Sequence, residues 1–151
     1  MKKHTKTQKK KLMNFNPKIK EECGVFGISN AKDASALTAL GLHALQHRGQ
    51  EGCGIVTFDG NHYFSEKRFG LVGDNFNEEK VLKKLKGNYA IGHNRYSTTG
   101  DNTLRNIQPF FADTNAGGIG VAHNGNLTNS ILLRNKLVEE GAIFYTTSDT
   151  E

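Results

Sequence analysis

Short apolar runs separated by glycine-rich polar turns constrain the fold of this chain more than any other feature of its sequence. The runs are rich in β-branched and aromatic residues, which is typical of β-strands. They predict strands at residues 23–29, 53–58, 62–65, 89–94, 119–123 and 143–147. Asp59-Gly60 lies between the second and third runs and predicts a tight hairpin there, because this dipeptide tolerates positive φ angles.

Three further segments have the apolar spacing of helices, at residues 34–46, 78–86 and 128–140. Thr128 is predicted to cap the third helix and Gly141 to end it. The residues predicted to face the core are Leu37, Leu40, Ala44 and Leu45 in the first helix and Val81, Leu82 and Leu85 in the second. With more strands than helices, the chain is predicted to be a mixed α and β domain.

The charge of the chain is distributed unevenly. Its 151 residues fit one domain and leave no room for a second. The formal net charge is +5, but residues 1–20 contain eight lysines and no acidic residue, whereas residues 23–151 carry a net charge of −1. The basic character therefore belongs to the N-terminal leader. No apolar run approaches the roughly 18 residues of a membrane span, so none is expected.

Residues 1–22 are predicted to be a removable leader or propeptide. They lack the apolar core of a secretory signal and the arginines of a mitochondrial one, so a cytoplasmic protein with reduced cysteines is predicted. Cleavage after Glu22 would give Cys23 both a thiol and a free α-amine. An α-amine with an unperturbed pKa of about 8 can serve as the base for that thiol. From position alone, Cys23 as an ordinary buried thiol stays open.

Three more polar clusters lie at predicted strand ends, where catalytic groups are commonly placed. Arg95 has a planar guanidinium suited to a carboxylate, and Thr98 adds a hydroxyl to the same group. Asn124 and Gly125 offer a side-chain amide and a backbone N–H that can converge on a developing oxyanion. Asp149 offers a counter-charge for an ammonium group. The structural alternatives are a surface ion pair, a common Asn-Gly turn and a solvated acid.

A metal site is a further possibility, since His43 and His47 lie four residues apart and share a face if both are helical. His47 falls in the predicted turn, and no other Cys or His pair has the spacing of a closed zinc site. No metal is therefore predicted in this chain, and Cys53 is predicted to be a packed thiol.

Five motifs follow one another after the leader. They are Cys23-Gly24-Val25-Phe26-Gly27-Ile28, Leu45-Gln46-His47-Arg48-Gly49-Gln50-Glu51, Gly92-His93-Asn94-Arg95-Tyr96-Ser97-Thr98, His123-Asn124-Gly125-Asn126-Leu127 and Ser148-Asp149-Thr150-Glu151. Together they resemble the glutaminase domain of class II glutamine amidotransferases, which are N-terminal-nucleophile (Ntn) hydrolases. The second motif and residues 69–76 resemble the amidophosphoribosyltransferase family and not the sugar-aminating or asparagine-forming relatives.

The resemblance implies an α+β fold, the Ntn-hydrolase four-layer αββα sandwich with two antiparallel sheets, incomplete at the C-terminus. It implies that Cys23 becomes the N-terminal nucleophile once residues 1–22 are removed, and that its thiolate attacks the side-chain amide of glutamine. Asn124 and Gly125 would form the oxyanion hole.

The other matched positions would hold the substrate. By resemblance, Arg95 and Thr98 bind the glutamine α-carboxylate and Asp149 binds the α-ammonium. Residues 23–151 would then be the N-terminal part of the glutaminase domain, with the family's phosphoribosyltransferase domain absent.

The resemblance also implies a role in de novo purine biosynthesis. Glutamine would be hydrolysed to glutamate and ammonia, which in the full-length enzyme aminates 5-phosphoribosyl-1-pyrophosphate to 5-phosphoribosylamine. No cofactor is expected within this chain. Mg²⁺ is implied for the missing domain, an iron–sulfur cluster in the full-length protein stays open, and the full-length protein is implied to be a homo-oligomer, a tetramer.

Two alternatives remain at this point, an inactive fragment and a non-catalytic module whose basic leader binds an acidic partner. Eight lysines without interleaved aromatic residues give electrostatic attraction without base readout. No nucleic-acid partner and no membrane partner are therefore predicted.

Overall fold

The structure is a computed structural model that describes residues 23–96 and 103–151. The strands within these ranges are β1 Gly24–Ile28, β2 Gly52–Phe58, β3 Tyr63–Phe69, β4 Tyr89–Arg95, β5 Phe110–Thr114 and β6 Gly117–Val121. The α-helices are α1 Ala34–Ala44, α2 Val72–Asn75, α3 Glu79–Leu82 and α4 Ser130–Glu139. Short 3₁₀ turns occur at Gln46–Arg48 and Leu104–Asn106.

The strands form two antiparallel sheets, which confirms the predicted α+β class for the described residues. The larger sheet has the strand order β1-β4-β2-β3, and β5 pairs with β6 in the smaller one. The predicted hairpin joins β2 to β3, and Asp59 closes its loop by accepting hydrogen bonds from the backbone N–H groups of Asn61 and His62, both at 2.8 Å. Antiparallel pairing of β1 and β2 on either side of β4 brings Gly24 and Gly52 to the Arg95 end of that strand.

Helix α1 packs closely on one face of the larger sheet. A β-carbon at Gly92 would lie 2.6 Å from Leu42 Cδ1 and 2.7 Å from Thr38 Cγ2, so the helix occupies the space that a side chain would need. The surrounding core includes Leu42 and Ile55, both fully buried. Burial of a side chain of this size contributes roughly 2 kcal/mol.

The smaller sheet covers the opposite face. Tyr63 of β3 stacks on Phe111 of β5 with ring centroids 5.8 Å apart, and Gly118 of β6 lies against the same tyrosine ring. The segment that precedes β5 continues this layer, because a β-carbon at Gly54 would overlap the backbone carbonyl oxygen of Gln108. The described residues therefore form a helix layer, a large sheet and a second sheet in order.

The predicted face of α1 is wrong, although its helical period is correct. Leu37 and Leu40 are exposed and Ala44 also points outward, while Leu45 packs against Gly24. The buried side chains of the helix are Ala34, Thr38, Ala39 and Leu42. Small residues on this side allow the helix to approach the glycines of the sheet, and close contact outweighs the hydrophobicity of the two leucines.

Three other predictions about the elements need correction. Residues 143–147 form no strand, because Tyr145 and Thr146 donate their N–H groups to the Glu151 carboxylate and Thr147 donates to Asn106 Oδ1. Asn129, not Thr128, lies at the N-cap of α4. The second predicted helix is a single turn, α3, in which Val81 is buried as expected.

Helix α2 and strand β5 were not predicted from the sequence. Gly141 ends α4 as expected, with a φ angle of 94°. Among the described residues, no helix has the length and apolarity needed to cross a membrane.

Candidate active site

Cys23 directly precedes β1, and two hydrogen bonds with Arg48 hold its backbone. Its N–H donates to the carbonyl oxygen of Arg48 at 2.9 Å, and Arg48 Nε donates to the carbonyl oxygen of Cys23 at 2.7 Å. Arg48 reaches this position because α1 runs back along the sheet and ends in the 3₁₀ turn that contains it. Cys23 has a φ angle of 72°, a left-handed conformation that is costly for a residue with a side chain. The contacts with Arg48 offset that cost.

The thiol of Cys23 faces the end of β4. The N–H of Tyr96 donates to Cys23 Sγ at 3.4 Å, and Sγ is also 3.4 Å from the carbonyl oxygen of Tyr96. Tyr96 follows the last residue of β4, and pairing of Gly24 with Asn94 sets this juxtaposition. The backbone of Tyr96 therefore holds the sulfur of Cys23 at the end of β4.

Asn124 lies directly against Cys23. Its side-chain Nδ2 donates to the carbonyl oxygen of Cys23 at 3.4 Å. Gly125 follows with a φ angle of 152°, and a β-carbon there would lie 2.9 Å from His123 Nε2. A glycine is therefore favoured at this turn for both conformation and space. The N–H of His123 donates to Gln108 Oε1 at 2.7 Å and fixes the start of the turn.

Arg95 is buried at the end of β4, with only 6% of its surface exposed. Its Nη1 donates to the carbonyl oxygen of Asn106 at 3.0 Å. Asp149 lies against the loop that follows Asn124, where its Oδ2 accepts a hydrogen bond of 2.8 Å from the N–H of Leu127. Asp149 and Leu127 line an open cavity of about 540 Å³. Thr98 lies outside the described residues.

The structure brings two of the predicted site residues, Cys23 and Asn124, into direct contact and links Arg95 and Asp149 to them through neighbouring residues. Cys23 contacts Asn124 directly and contacts Tyr96, the neighbour of Arg95. Asp149 is bonded to the loop three residues beyond Asn124. Sequence reasoning gave no role to Arg48 or Tyr96, which hold the backbone and the sulfur of Cys23. Both belong to the quoted motifs, but only the fold shows that residues 25 and 73 positions from Cys23 contact it.

The second cysteine is in a different environment. Cys53 is fully buried in β2, and its Sγ lies 3.6 Å from the carbonyl oxygen of Gly70. Burial raises the pKa of this thiol to about 12, with Arg68 lowering it and Asp74 raising it by smaller amounts. Cys53 is therefore a packed thiol with little thiolate at neutral pH, whereas Cys23 is partly exposed.

The described residues include no group of three or more His, Cys, Asp or Glu side chains placed to hold a metal ion.

Comparison with known proteins shows which proteins this chain resembles. Residues 93–151 match the family model described as a glutamine amidotransferase domain. An amidophosphoribosyltransferase from Rhizobium etli is 57% identical over 133 residues, which are 88% of this chain and 27% of the relative. The chain thus spans about a quarter of the length of the curated relatives that it matches.

Two solved structures agree with this result. One, described as the allosteric regulatory enzyme of purine biosynthesis, has a TM-score of 0.77 and 46% identity over 83% of this chain and 27% of its own. The other is the glutamine phosphoribosylpyrophosphate amidotransferase from Bacillus subtilis, complexed with ADP and GMP, with a TM-score of 0.73, 46% identity and the same coverage.

The two-sheet fold and the family model over residues 93–151 show that this chain is similar to a glutamine amidotransferase domain. The structural match also confirms the predicted Ntn-hydrolase fold, of which this chain is an incomplete part. Within the family, the chain is similar to the amidophosphoribosyltransferases over nearly all of its length after the leader.

Proposed function

We propose that this chain carries the glutaminase site of a glutamine-dependent amidotransferase, with Cys23 as the N-terminal nucleophile. The observation that supports this most directly is the environment of Cys23. Its sulfur accepts from the N–H of Tyr96, and its backbone carbonyl accepts from Arg48 and Asn124, so three of the four other motifs contact this residue.

The first chemical step needs a thiolate and a place for its proton. After removal of residues 1–22, the free α-amine of Cys23 takes the proton of the thiol, and the sulfur attacks the side-chain carbonyl carbon of glutamine. A carbon–sulfur bond forms, and the proton passes from the amine to the departing nitrogen as the carbon–nitrogen bond breaks. Ammonia leaves, and water then hydrolyses the glutamyl thioester to glutamate and restores the thiol.

The remaining site residues bind the substrate and the developing charge. Asn124 and the N–H of Gly125 stabilise the oxyanion, which requires the Asn124 amide to turn from the carbonyl oxygen of Cys23 to the substrate. Arg95, with Thr98, binds the α-carboxylate of glutamine. Asp149 binds the α-ammonium while Leu127 anchors its other oxygen.

The proposal for the whole protein goes further. We infer that the ammonia aminates 5-phosphoribosyl-1-pyrophosphate in a phosphoribosyltransferase domain, giving 5-phosphoribosylamine for purine biosynthesis. The names of the relatives support this inference. A homotetramer, a cytoplasmic location, and Mg²⁺ and an iron–sulfur cluster outside this chain stay predictions.

A non-catalytic module with a basic binding tail is less favoured. The similarity to amidophosphoribosyltransferases covers the sequence around Cys23, Arg95 and Asn124, whereas the basic tail would place function in residues 1–22.

The proposal is tested by labelling the full chain with an electrophilic glutamine analogue such as 6-diazo-5-oxo-norleucine, followed by peptide mass spectrometry. We expect one adduct, on an N-terminal Cys23, and protection by excess glutamine. Cys23→Ser should abolish the adduct, and Cys53→Ser should retain it because the buried Cys53 has little thiolate. Equal labelling of both cysteines, or none in the soluble, processed protein, would contradict the proposal.

A further inference from the structure

Asn106 connects the two groups that are proposed to hold the charged ends of glutamine. It lies in the 3₁₀ turn Leu104–Asn106 and is almost completely buried, with 1% of its surface exposed. Its carbonyl oxygen accepts the 3.0 Å hydrogen bond from Arg95 Nη1. Its side chain bonds twice to Thr147: Nδ2 donates to Oγ1 at 2.7 Å, and Oδ1 accepts from the backbone N–H at 3.0 Å.

Thr147 belongs to the segment that carries Asp149. This segment forms no strand, so no sheet fixes its distance from β4. Asn106 supplies such a restraint, because its backbone contacts the guanidinium at the end of β4 while its amide is bonded to the segment two residues before Asp149. A buried amide with both of its polar atoms satisfied is a rigid spacer.

The spacing matters because an α-amino acid carries its carboxylate and its ammonium on one carbon. A site that binds both the carboxylate and the ammonium must keep its own cation and anion at a fixed distance. If that distance varies, simultaneous binding of the two groups is weakened.

We propose that Asn106 is a positioning residue that fixes the separation of Arg95 and Asp149 and so determines selectivity for an α-amino acid over the same acid without its amine. The inference rests on the proposed glutaminase function and deepens it. Asn106 acts through Arg95 and Asp149 and has no part in the chemical step, so its loss changes binding more than turnover.

The test compares Asn106→Ala with the wild-type full chain, using steady-state glutaminase kinetics and two competitive inhibitors. L-Glutamate has both charged groups of the substrate backbone, and glutarate lacks the ammonium. In Asn106→Ala we expect the KM for glutamine and the Ki for L-glutamate to rise about tenfold, the scale of one or two lost hydrogen bonds. The Ki for glutarate and the kcat should change less than threefold.

Two further variants separate positioning from folding. Thr147→Val removes the hydroxyl that accepts from Asn106 but keeps the backbone bond, so a smaller change in the same direction is expected. Asn61→Ala is the matched control. It lies in the exposed β2–β3 loop, at the opposite end of the sheet from Arg95, about 20 Å away along β4. It should leave all four constants unchanged.

The outcomes distinguish the two proposals. Suppose that the wild type is labelled on Cys23 and hydrolyses glutamine, but neither Asn106→Ala nor Thr147→Val reduces the ratio of the Ki for glutarate to the Ki for L-glutamate. The proposed role of Asn106 is then wrong, and the glutaminase function stands. A kcat that falls while selectivity is retained would overturn the role of Asn106 in the same way. If the wild type neither labels nor hydrolyses glutamine, the proposed function fails and this inference with it.

Discussion

His93 is a buried histidine next to the candidate site. It lies on β4 two residues before Arg95, and only 1% of its surface is exposed. Burial is the main cause that lowers its pKa to about 4; the backbone of His123 opposes this shift, and the charges of Arg95 and His123 contribute to it. The imidazole is therefore neutral in the folded protein at neutral pH.

This environment predicts a pH dependence of stability. Below the ordinary pKa of 6.5, His93 is protonated in the unfolded chain but stays neutral in the folded protein. The free energy of unfolding is therefore highest above about pH 6.5 and falls as the pH drops towards 4. The loss is on the order of 3 kcal/mol by pH 4. His93→Gln should remove this part of the pH dependence, as measured by urea denaturation at pH 7, 5.5 and 4. His62→Gln, exposed in the hairpin loop, is the control and should behave as wild type. An unchanged pH dependence in His93→Gln would contradict this role of the buried imidazole.

At the scale of elements, the segment that leads into β5, which contains Ile107 and Gln108, packs against β2 and supports the candidate site. It covers β2 where that strand has two glycines, and Ile107 and Gln108 occupy the space beside Gly52 and Gly54. Gln108 in turn accepts from the N–H of His123 and donates Nε2 to Thr150 Oγ1 at 3.0 Å. The packing of this segment therefore affects both the turn at residues 123–125 and the segment that carries Asp149.

Gly54→Ala tests this packing. Its new methyl group would overlap the backbone carbonyl oxygen of Gln108, which no side-chain rotation can relieve, so the segment must shift. We expect a loss of about 1–3 kcal/mol in the free energy of unfolding and a lower glutaminase kcat. Gly27→Ala is the matched control in β1 of the same sheet, because its methyl group would be 3.6 Å from Ile91 Cγ2. If Gly54→Ala and Gly27→Ala had equal denaturation midpoints, the segment that contains Gln108 could shift without loss of stability, which would contradict this prediction.

The sequence predicts elements better than it predicts contacts between them. Strands β1, β2 and β4 were predicted because their patterns are local, as was the β2–β3 hairpin. Residues 143–147 have a strand-like composition, but their N–H groups bond to the side chains of Glu151 and Asn106, which no local pattern reveals. The face of α1 depends on one glycine about fifty residues away in β4, Gly92. Cys23 and Asn124 could be predicted from the sequence motifs, whereas the proposed role of Asn106 could be inferred only from the contacts in the fold.

At the scale of the whole molecule, charge and chemistry are separated along the chain. The eight lysines of residues 1–20 carry +8, which exceeds the net charge of +5, whereas residues 23–151 carry the candidate site and a net charge of −1. Electrostatic attraction to an acidic partner would need the leader attached. The proposed amine base needs it removed, since only an N-terminal Cys23 has a free α-amine.

A one-residue extension separates these requirements. Two variants of the full chain are compared, one beginning at Cys23 and one beginning with a single alanine before Cys23. Both lack the lysines, and both keep the thiol and its contacts with Arg48 and Tyr96. If the α-amine is the base, the first should hydrolyse glutamine and the second should have a kcat lower by about 10²–10⁴, the usual contribution of a general base. Circular dichroism and the thermal midpoint should agree between the two, so that the lost activity is not lost structure. Equal activity in the two would exclude the amine as the base.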